Sequence, residues 1–348
     1  MDPKAEEYAQ RLKTLRPERP LSIMEVCGTH TVAIRRHGIQ QLLPDGVRLI
    51  SGPGCPVCVT PDSYIDDAIF LARRGFVIAT FGDMVRVPGS ETSLQREKAE
   101  GADVRIVYSP MEALDIAGRI PGEVVFLSVG FETTVPGIAV TAQRTLKNRL
   151  TNLSFLSGNR LVPPALKVIL ECDSRIDGFL LPGHVSAIIG MEGYRLLGER
   201  GLPGVISGFS PEEILSSLLI LLEMIAGGRP GVVNNYSRVV RDEGNPKSRS
   251  LIDEVFEAED AEWRGLGRIP LSGLKLNDRY AELDSRRRID IRVERKTADP
   301  CCRCGEVLRG IIDPPACPLF GAACTPERPL GPCMVSSEGS CGAWFSYG

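Results

Sequence analysis

The segment that decides the fold class is Leu21-Ser-Ile-Met-Glu-Val-Cys-Gly-Thr-His30, near the start of a chain of 348 residues. Its first six residues are mostly apolar and predict a buried β-strand, which ends at a loop containing Cys27 and His30. From residue 21 to residue 226, similar short strand-like runs alternate with helical segments. This alternation is typical of α/β proteins, in which helices pack on a parallel sheet.

The pattern predicts eight strands, at residues 21–26, 47–51, 76–81, 104–108, 124–129, 153–156, 176–181 and 204–207. Four precede Gly122 and four follow it. We therefore expect two similar parallel-sheet α/β halves, residues 21–121 and 122–227, that face a cleft. Residues 228–348, grouped with an N-terminal helix over residues 1–20, form a third predicted domain of mixed structure, with a strand-like run at 288–293.

Helix starts support this division of the chain. Ser109-Pro110 and Ser210-Pro211 each place a hydroxyl group before a proline, which is a common way for a helix to begin. Glu213, three residues after Ser210, completes the pattern of a capping box.

The unusual loops begin where predicted strands end. They are Cys27-Gly-Thr-His30, Gly52-Pro-Gly-Cys-Pro-Val-Cys58, Gly82-Asp-Met-Val-Arg-Val-Pro-Gly89, Gly130-Phe-Glu-Thr-Thr134 and Pro182-Gly-His-Val-Ser186. In open α/β sheets, ligands bind outside the carboxyl ends of the strands. We therefore expect these loops to line a common cleft between the two halves.

Composition excludes several classes of protein. The net charge of −3 does not suit a general nucleic-acid binder. The longest apolar run, residues 214–226, falls short of the ~20 residues that a membrane span requires. The charged start of the chain lacks the apolar stretch of a signal peptide. These features predict a cytoplasmic protein with reduced thiols that binds neither nucleic acid nor membrane.

The spacing of Cys55 and Cys58 allows their sulfur atoms to bind one metal ion or each other, and it is equally compatible with two small buried side chains in a tight turn. A helix that begins near Pro61 would lower the pKa of Cys58, and one that begins at Thr31 would do the same for Cys27.

Three other side chains in these loops are candidates for the site. His30 and His184 could bind a ligand or transfer protons, although each could also be structural. Glu132 could orient a ligand or cap the helix that follows it.

The tail contains seven cysteines and no histidine: Cys301, Cys302, Cys304, Cys317, Cys324, Cys333 and Cys341. Structural zinc sites usually show paired Cys-x-x-Cys motifs or histidine ligands, so four thiolates around an iron–sulfur cluster fit better, with zinc as the alternative. A metal centre would supply the cross-links that so short a segment needs to fold. Cys172, by contrast, is expected to be a packed core thiol.

Taken together, CGTH, SGPGCPVCV, GFETT, PGHVS and the tail sequences CRCGEVLRG, CPLFGAACTP and GPCMVSSEGSC resemble the HypD family of hydrogenase maturation factors, over residues 22–345. Cys301 is the one departure. The resemblance implies a monomer that forms complexes with the chaperone HypC and with HypE. There it acts as an assembly scaffold with redox activity, rather than a conventional turnover enzyme, for an iron that carries two cyanides and one carbon monoxide.

The resemblance also implies roles for individual cysteines. Cys27 would hold the transferred iron, and Cys55 and Cys58 would act in redox or ligand-transfer steps, with His30, Glu132 and His184 in support. In the tail, the [4Fe–4S] ligands would be Cys302, Cys317, Cys324 and Cys341, beside an exchanging pair formed by Cys304 and Cys333. The competing interpretation is an iron–sulfur-dependent disulfide reductase of the ferredoxin–thioredoxin reductase type, with Cys55 and Cys58 as its active pair.

Overall fold

The computed structural model describes residues 3–171, 175–293 and 301–348; Cys172 lies outside the described residues. Eleven strands occur in the described part of the chain: β1 (Leu21–Glu25), β2 (Val47–Ser51), β3 (Val77–Thr80), β4 (Val104–Ile106), β5 (Val124–Ser128), β6 (Leu153–Ser157), β7 (Gly178–Pro182), β8 (Pro203–Ser207), β9 (Gly231–Asn234), β10 (Phe256–Trp263) and β11 (Gly267–Leu276). The eight predicted strands are confirmed to within two residues at each end.

The α-helices of the described residues are α1 (Pro3–Thr14), α2 (Gly28–Arg36), α3 (Pro56–Val59), α4 (Asp62–Arg73), α5 (Gly82–Arg86), α6 (Leu94–Ala99), α7 (Pro110–Ala117), α8 (Val135–Lys147), α9 (Val162–Glu171), α10 (Gly183–Ile189), α11 (Arg195–Glu199), α12 (Pro211–Ala226), α13 (Pro246–Val255), α14 (Ser285–Arg288), α15 (Cys304–Leu308), α16 (Pro332–Val335) and α17 (Ser340–Tyr347). The capping box at Ser210 and Glu213 is confirmed at the start of α12. No helix in the described ranges is long and apolar enough to cross a membrane.

The strands form two parallel sheets and one antiparallel hairpin. The first sheet has the order β2-β1-β7-β8-β9, the second has the order β4-β3-β5-β6, and β10 pairs with β11. The α/β fold with parallel sheets is therefore confirmed. Strands β5, β7 and β8, in the middle of the sheets, are mostly apolar and are buried along their whole length, as expected where helices cover both faces of a parallel sheet.

The sheets do not divide at residue 122, where we placed the boundary between the halves. The chain leaves the first sheet after β2, builds the second sheet from β3 to β6, and returns to the first sheet at β7. The reason is that β1 pairs with β7 on one side and with β2 on the other. Each sheet thus contains strands from both predicted halves.

Two other segments differ from expectation. Helix α1 packs on α12 over the first sheet, where Leu12 joins Leu215 and Leu218 in one apolar cluster. It lies with the first sheet and not in the tail group to which we assigned it. The strand predicted at 288–293 is wrong, because Asp284 caps the short helix α14 by accepting the N–H of Arg286.

The hairpin of β10 and β11 joins the cysteine-rich tail to the rest of the molecule. Its Phe256 and Leu276 pack with the core of the second sheet. At the other end of the hairpin, Trp263 shares an apolar cluster with Leu308 and Cys333 of the tail. Through these contacts, the short helices of residues 301–348 are held against the loops that carry the other cysteines.

Candidate functional site

The loops that follow β1 and β2 pack directly on each other. The N–H of Gly28 donates to the carbonyl oxygen of Gly54 at 3.0 Å. A Cβ atom added at Gly54 would lie 2.3 Å from the backbone nitrogen of Cys27, so no residue larger than glycine fits there. The structure thus brings the CGTH loop, residues 27–30, into contact with the loop that contains Cys55 and Cys58.

Cys55 and Cys58 form a disulfide, so the expectation that these thiols are reduced is wrong for this pair. Cys55 is the N-cap of α3 and Cys58 lies one turn later, which separates their Cα atoms by 5.3 Å, a normal disulfide spacing. The N–H of Cys58 also lies 3.2 Å from the Cys55 sulfur. Both residues are buried, as the structural alternative requires, but the bond between them makes the pair redox-active in principle.

Cys27 is a buried thiol at the N-cap of α2, which begins at Gly28 and not at Thr31. Burial raises the pKa of Cys27 to about 11. The prediction that the helix end lowers this pKa is therefore wrong, because loss of solvation outweighs the helix dipole. At neutral pH Cys27 carries its proton, which it must release when it binds a metal ion.

His30 and His184 both pack against one aromatic ring, that of Phe209. Phe209, which follows β8, has its ring centroid 4.8 Å from that of His30 and 4.1 Å from that of His184. The Nε2 atom of His30 is 2.9 Å from the carbonyl oxygen of Gly208, and burial lowers the pKa of His30 to about 4. The loops after three adjacent strands of the first sheet, β1, β7 and β8, therefore meet at this stack.

Glu132 follows β5 of the second sheet and caps a different helix from the expected one. Its Oε1 atom accepts the N–H of Val162, the first residue of α9, at 2.9 Å. Burial raises the pKa of Glu132 to about 7. Its neighbour Phe131 stacks on Trp263 and shares an apolar cluster with Cys55 and Cys58, which connects this loop to the disulfide.

Several buried polar atoms near these loops have no hydrogen-bond partner among the described residues. They include Oε2 of Glu132, Nδ1 of His30 and Oε2 of Glu25. Unpaired buried polar atoms are rare in proteins, and they need an explanation such as a ligand or a bound water. The sequence analysis did not select Glu25, although a carboxylate at the end of an apolar strand and two residues before Cys27 was a usable signal.

The side chains of Cys27, His30 and Glu132 are only 8%, 0% and 3% exposed. The open cleft between two halves therefore remains a prediction.

Six of the tail cysteines converge on one small cavity. Its lining includes the thiols predicted as cluster ligands and those predicted as the exchanging pair: Cys302, Cys304, Cys317, Cys324, Cys333 and Cys341. None of the six forms a disulfide. Cys301 is exposed and is not part of the lining. In the described ranges, no three His, Cys, Asp or Glu side chains are grouped as ligands of a single metal ion.

The thiols of this cavity interact with one another. A hydrogen bond between Cys302 and Cys304 raises the pKa of Cys302 and lowers that of Cys304. Burial raises the pKa of both Cys333 and Cys341, and neighbouring cysteines raise them further. The contacts do not separate ligands from exchanging thiols, and the division of the six stays a prediction.

Arg264, at the turn between β10 and β11, connects the cavity to the disulfide. Its N–H donates to the carbonyl oxygen of Val59, the last residue of α3, at 2.9 Å. Its guanidinium group forms an ion pair with Asp62, and its positive charge helps to lower the pKa of the Cys304 thiol. Sequence analysis missed Arg264, since nothing in its local sequence distinguishes it from the many surface arginines.

Glu338 of the tail reaches the CGTH loop. Its Oε1 atom accepts a hydrogen bond from the Thr29 hydroxyl at 2.7 Å. A Cβ atom at Gly28 would come within 2.6 Å of Glu338, so the two backbones are in close contact. The sequence gives no signal for this pairing, because 309 residues separate Thr29 from Glu338.

Comparison with known proteins identifies the family. The family model described as "HypD: Hydrogenase formation hypA family" matches residues 3–348. Hydrogenase maturation factor HypD2 of Bradyrhizobium diazoefficiens is 46% identical over 344 residues, which cover 95% of this chain and 90% of that protein. Hydrogenase maturation factor HypD of Cupriavidus necator is 44% identical over 359 residues, with coverage of 98% and 95%. The Escherichia coli protein of the same name is 46% identical over 335 residues, with coverage of 95% and 90%. The chain therefore belongs to the HypD family.

Proposed function

We propose that this chain is a hydrogenase maturation factor that serves as the scaffold on which iron receives two cyanides and one carbon monoxide. The names of its relatives support the maturation role. The observation that carries the scaffold role is the packing of the Cys27 loop on the disulfide loop, with the tail cavity joined to both. In this proposal, a buried thiol that holds iron lies next to a cysteine pair that can accept and pass on electrons.

Cys27 is proposed to hold the iron substrate together with a cysteine of a HypC-type chaperone, while HypE supplies the cyanide groups. Soft thiolates suit iron that must be held and later released. The unpaired Oε2 atom of Glu132, in its protonated form, is available to donate a hydrogen bond to a cyanide or carbonyl ligand of the iron, whereas Nδ1 of His30 can only accept one. The burial of Glu132 and His30 supports a place for both at this site, since water and oxygen must be excluded from such an intermediate.

The disulfide is proposed to exchange with the Cys304 and Cys333 thiols. The Cys304 thiolate attacks one sulfur of the Cys55–Cys58 bond, forms a mixed disulfide and releases the other sulfur as a thiolate. Cys333 then attacks Cys304, which leaves Cys55 and Cys58 reduced and a disulfide between Cys304 and Cys333. Two electrons move from the Cys304/Cys333 pair to the Cys55/Cys58 pair in this exchange. Two further electrons and two protons are then needed to reduce the disulfide between Cys304 and Cys333.

The tail is proposed to bind a [4Fe–4S] cluster. Six thiols that form no disulfide surround one cavity, and a cluster needs four ligands, which would be Cys302, Cys317, Cys324 and Cys341. When bound, the cluster supplies single electrons from an external one-electron donor.

The experiment is anaerobic co-purification with a HypC-type chaperone, followed by infrared spectroscopy in the cyanide and carbonyl stretching region. We expect absorption bands of bound cyanide and carbon monoxide in the complex, and none when Cys27→Ser replaces the wild-type chain. Cys301→Ser is the control, because Cys301 is exposed and outside the cavity. Bands that persist in the Cys27→Ser complex contradict the proposal.

A disulfide reductase is the second candidate, and the disulfide between Cys55 and Cys58 is the observation that favours it. The purified protein would then reduce protein disulfides with a one-electron donor and without any chaperone. This activity would persist in Cys27→Ser, because the thiol–disulfide exchange does not use Cys27. The scaffold proposal predicts no such turnover.

A further inference from the structure

The cysteine-rich tail contacts α2 near both ends of that helix, which begins immediately after Cys27. At the first turn, the Thr29 hydroxyl donates to Glu338 at 2.7 Å. Near the last turn, the guanidinium carbon of Arg35 lies 3.5 Å from the ring centroid of Trp344. Helices α2 and α17 are in extensive contact between these two points. The two pairs are six residues apart on each segment, so they hold the helix along its length.

The stretch of the tail that contacts α2 also contributes residues to the lining of the cysteine cavity. Glu338 lies between Cys333 and Cys341, both of which line that cavity. Just before it, α16 packs on α3, and the carbonyl oxygen of Val335 accepts a hydrogen bond from Arg86 at 2.8 Å. A single stretch of the tail therefore contacts the cavity, the disulfide helix and the Cys27 loop.

We propose that Glu338 and Trp344 form a clamp by which the tail positions α2 and holds Cys27 against the disulfide loop. Glu338 is the positioning residue, and it acts through the Thr29 hydroxyl. Cys27 sits at the N-cap of α2, where a helix frays most easily when its first turn loses a contact. The inference rests on the proposed role of Cys27 as the iron ligand, and it adds the element that keeps this thiol in place.

The proposal gives the tail a second task besides electron supply. Because Cys341, which lines the cavity, lies in sequence between Glu338 and Trp344, a change that disorders the cavity should release α2 as well. An empty or damaged tail would then leave Cys27 loosely held, and iron would be loaded only on molecules whose tail is intact. Glu338→Gln should preserve the clamp, since the amide oxygen still accepts from Thr29, whereas Glu338→Ala should release it.

The test measures how fast iodoacetamide labels Cys27 in the full-length, anaerobically purified protein, with the labelled peptide quantified by mass spectrometry. We expect Glu338→Ala and Thr29→Val each to accelerate labelling about tenfold, the effect of ~1.4 kcal/mol. The double variant should react no faster than either single variant, because both remove the same contact. The rates are compared as rate constants corrected for the thiolate fraction, obtained from a pH series, because the Glu338 carboxylate raises the pKa of Cys27 and the Thr29 hydroxyl lowers it. On that scale Glu338→Gln should react like the wild type, and Ser337→Ala, an exposed neighbour, is the matched control.

Equal labelling rates in Glu338→Ala and Ser337→Ala would overturn the clamp. So would effects of Thr29→Val and Glu338→Ala that multiply in the double variant, or a Glu338→Gln protein that reacts as fast as Glu338→Ala. The urea midpoint of each variant is measured alongside, and a general loss of stability would appear there. Labelling requires no iron and no chaperone, so this test and the infrared test of the scaffold can fail independently.

Discussion

Arg264 and Asp62 form an ion pair in which both side chains are largely buried, at 11% and 15% exposure. The pair joins the turn between β10 and β11 to the first residue of α4. Removing the cation leaves a carboxylate without its partner in a site that water barely reaches, which is costly. Burial already raises the pKa of Asp62, which shows how poorly the charged form is solvated there.

We therefore expect Arg264→Gln to lower the free energy of unfolding by roughly 3 kcal/mol. Arg268→Gln is the control, because Arg268 is 76% exposed and its contact with Asp260 is long, at 3.5 Å. Arg268→Gln should lower the free energy of unfolding by no more than about 0.5 kcal/mol. Urea titration of the two variants measures the difference, and equal midpoints would show that the buried pair contributes nothing.

Gly54→Ala should displace the disulfide loop from the Cys27 loop. The added methyl group would lie 2.3 Å from the backbone nitrogen of Cys27, and backbone atoms cannot move aside cheaply. We expect a loss of stability of ~2 kcal/mol or more, typical of overpacking a buried contact. Gly122→Ala is the control, since its added methyl group meets only Ile120, at 4.0 Å. Thermal unfolding compares the two, and an unchanged midpoint in Gly54→Ala would contradict this packing.

Glu132→Gln should change how stability depends on pH. Burial raises the folded-state pKa of Glu132 to about 7, above the value near 4.5 expected in the unfolded chain. The folded state then holds the proton more tightly, so this residue's contribution is complete below pH ~4.5 and is lost as the pH rises towards 7. Glutamine resembles the protonated acid and does not ionise, so the variant does not lose stability at this position as the pH rises.

The measurement is urea unfolding of wild type and Glu132→Gln at pH 5 and pH 7.5. The variant should gain stability relative to wild type between the two pH values, by a difference on the order of 2 kcal/mol. Glu25, whose pKa burial also raises to about 7, should keep its own pH dependence in both proteins. Parallel pH profiles would mean that Glu132 is already charged in the folded protein.

Cys304→Ala should separate the redox pair from the cluster. If Cys304 exchanges with the Cys55–Cys58 disulfide and is not a ligand, its loss leaves the visible absorbance of the cluster intact and blocks hydrogenase maturation. Cys317→Ala should instead remove the absorbance. Anaerobic absorption spectra and hydrogenase activity in a complemented deletion strain provide the two measurements. Normal maturation in Cys304→Ala would contradict the exchange, and loss of absorbance would make Cys304 a ligand.

The eight strands of residues 21–226 could be predicted because a strand buried on both faces needs a continuous apolar run, which is a local property of the sequence. The grouping of these strands into sheets could not. The hydrogen bonds between β1 and β7 join residues that are more than 150 positions apart. The apolar sequence of a strand also does not indicate to which of the two sheets that strand belongs.

The pKa of Cys27 is a second property that could not be predicted from the sequence. Its position at a helix start was accessible to sequence reasoning, but the sign of the shift was not, because it depends on how much water the surrounding loops exclude. Similarly, Cys55 and Cys58 could be recognised as a pair from their spacing, whereas the disulfide depends on the backbone geometry of α3.

The sequence by itself determined the α/β class, the positions of the strands, the loops that carry the cysteines and, through its motifs, the family. Tertiary structure alone decided that six tail thiols share one cavity, that Arg264 and Glu338 join the tail to the loops, and that Cys27 is a buried thiol. The physical reason is the distance along the chain over which each property is set. Strand formation and helix capping depend on neighbours a few residues away, whereas burial, charge pairing and thiol reactivity depend on which distant segments pack together and exclude water.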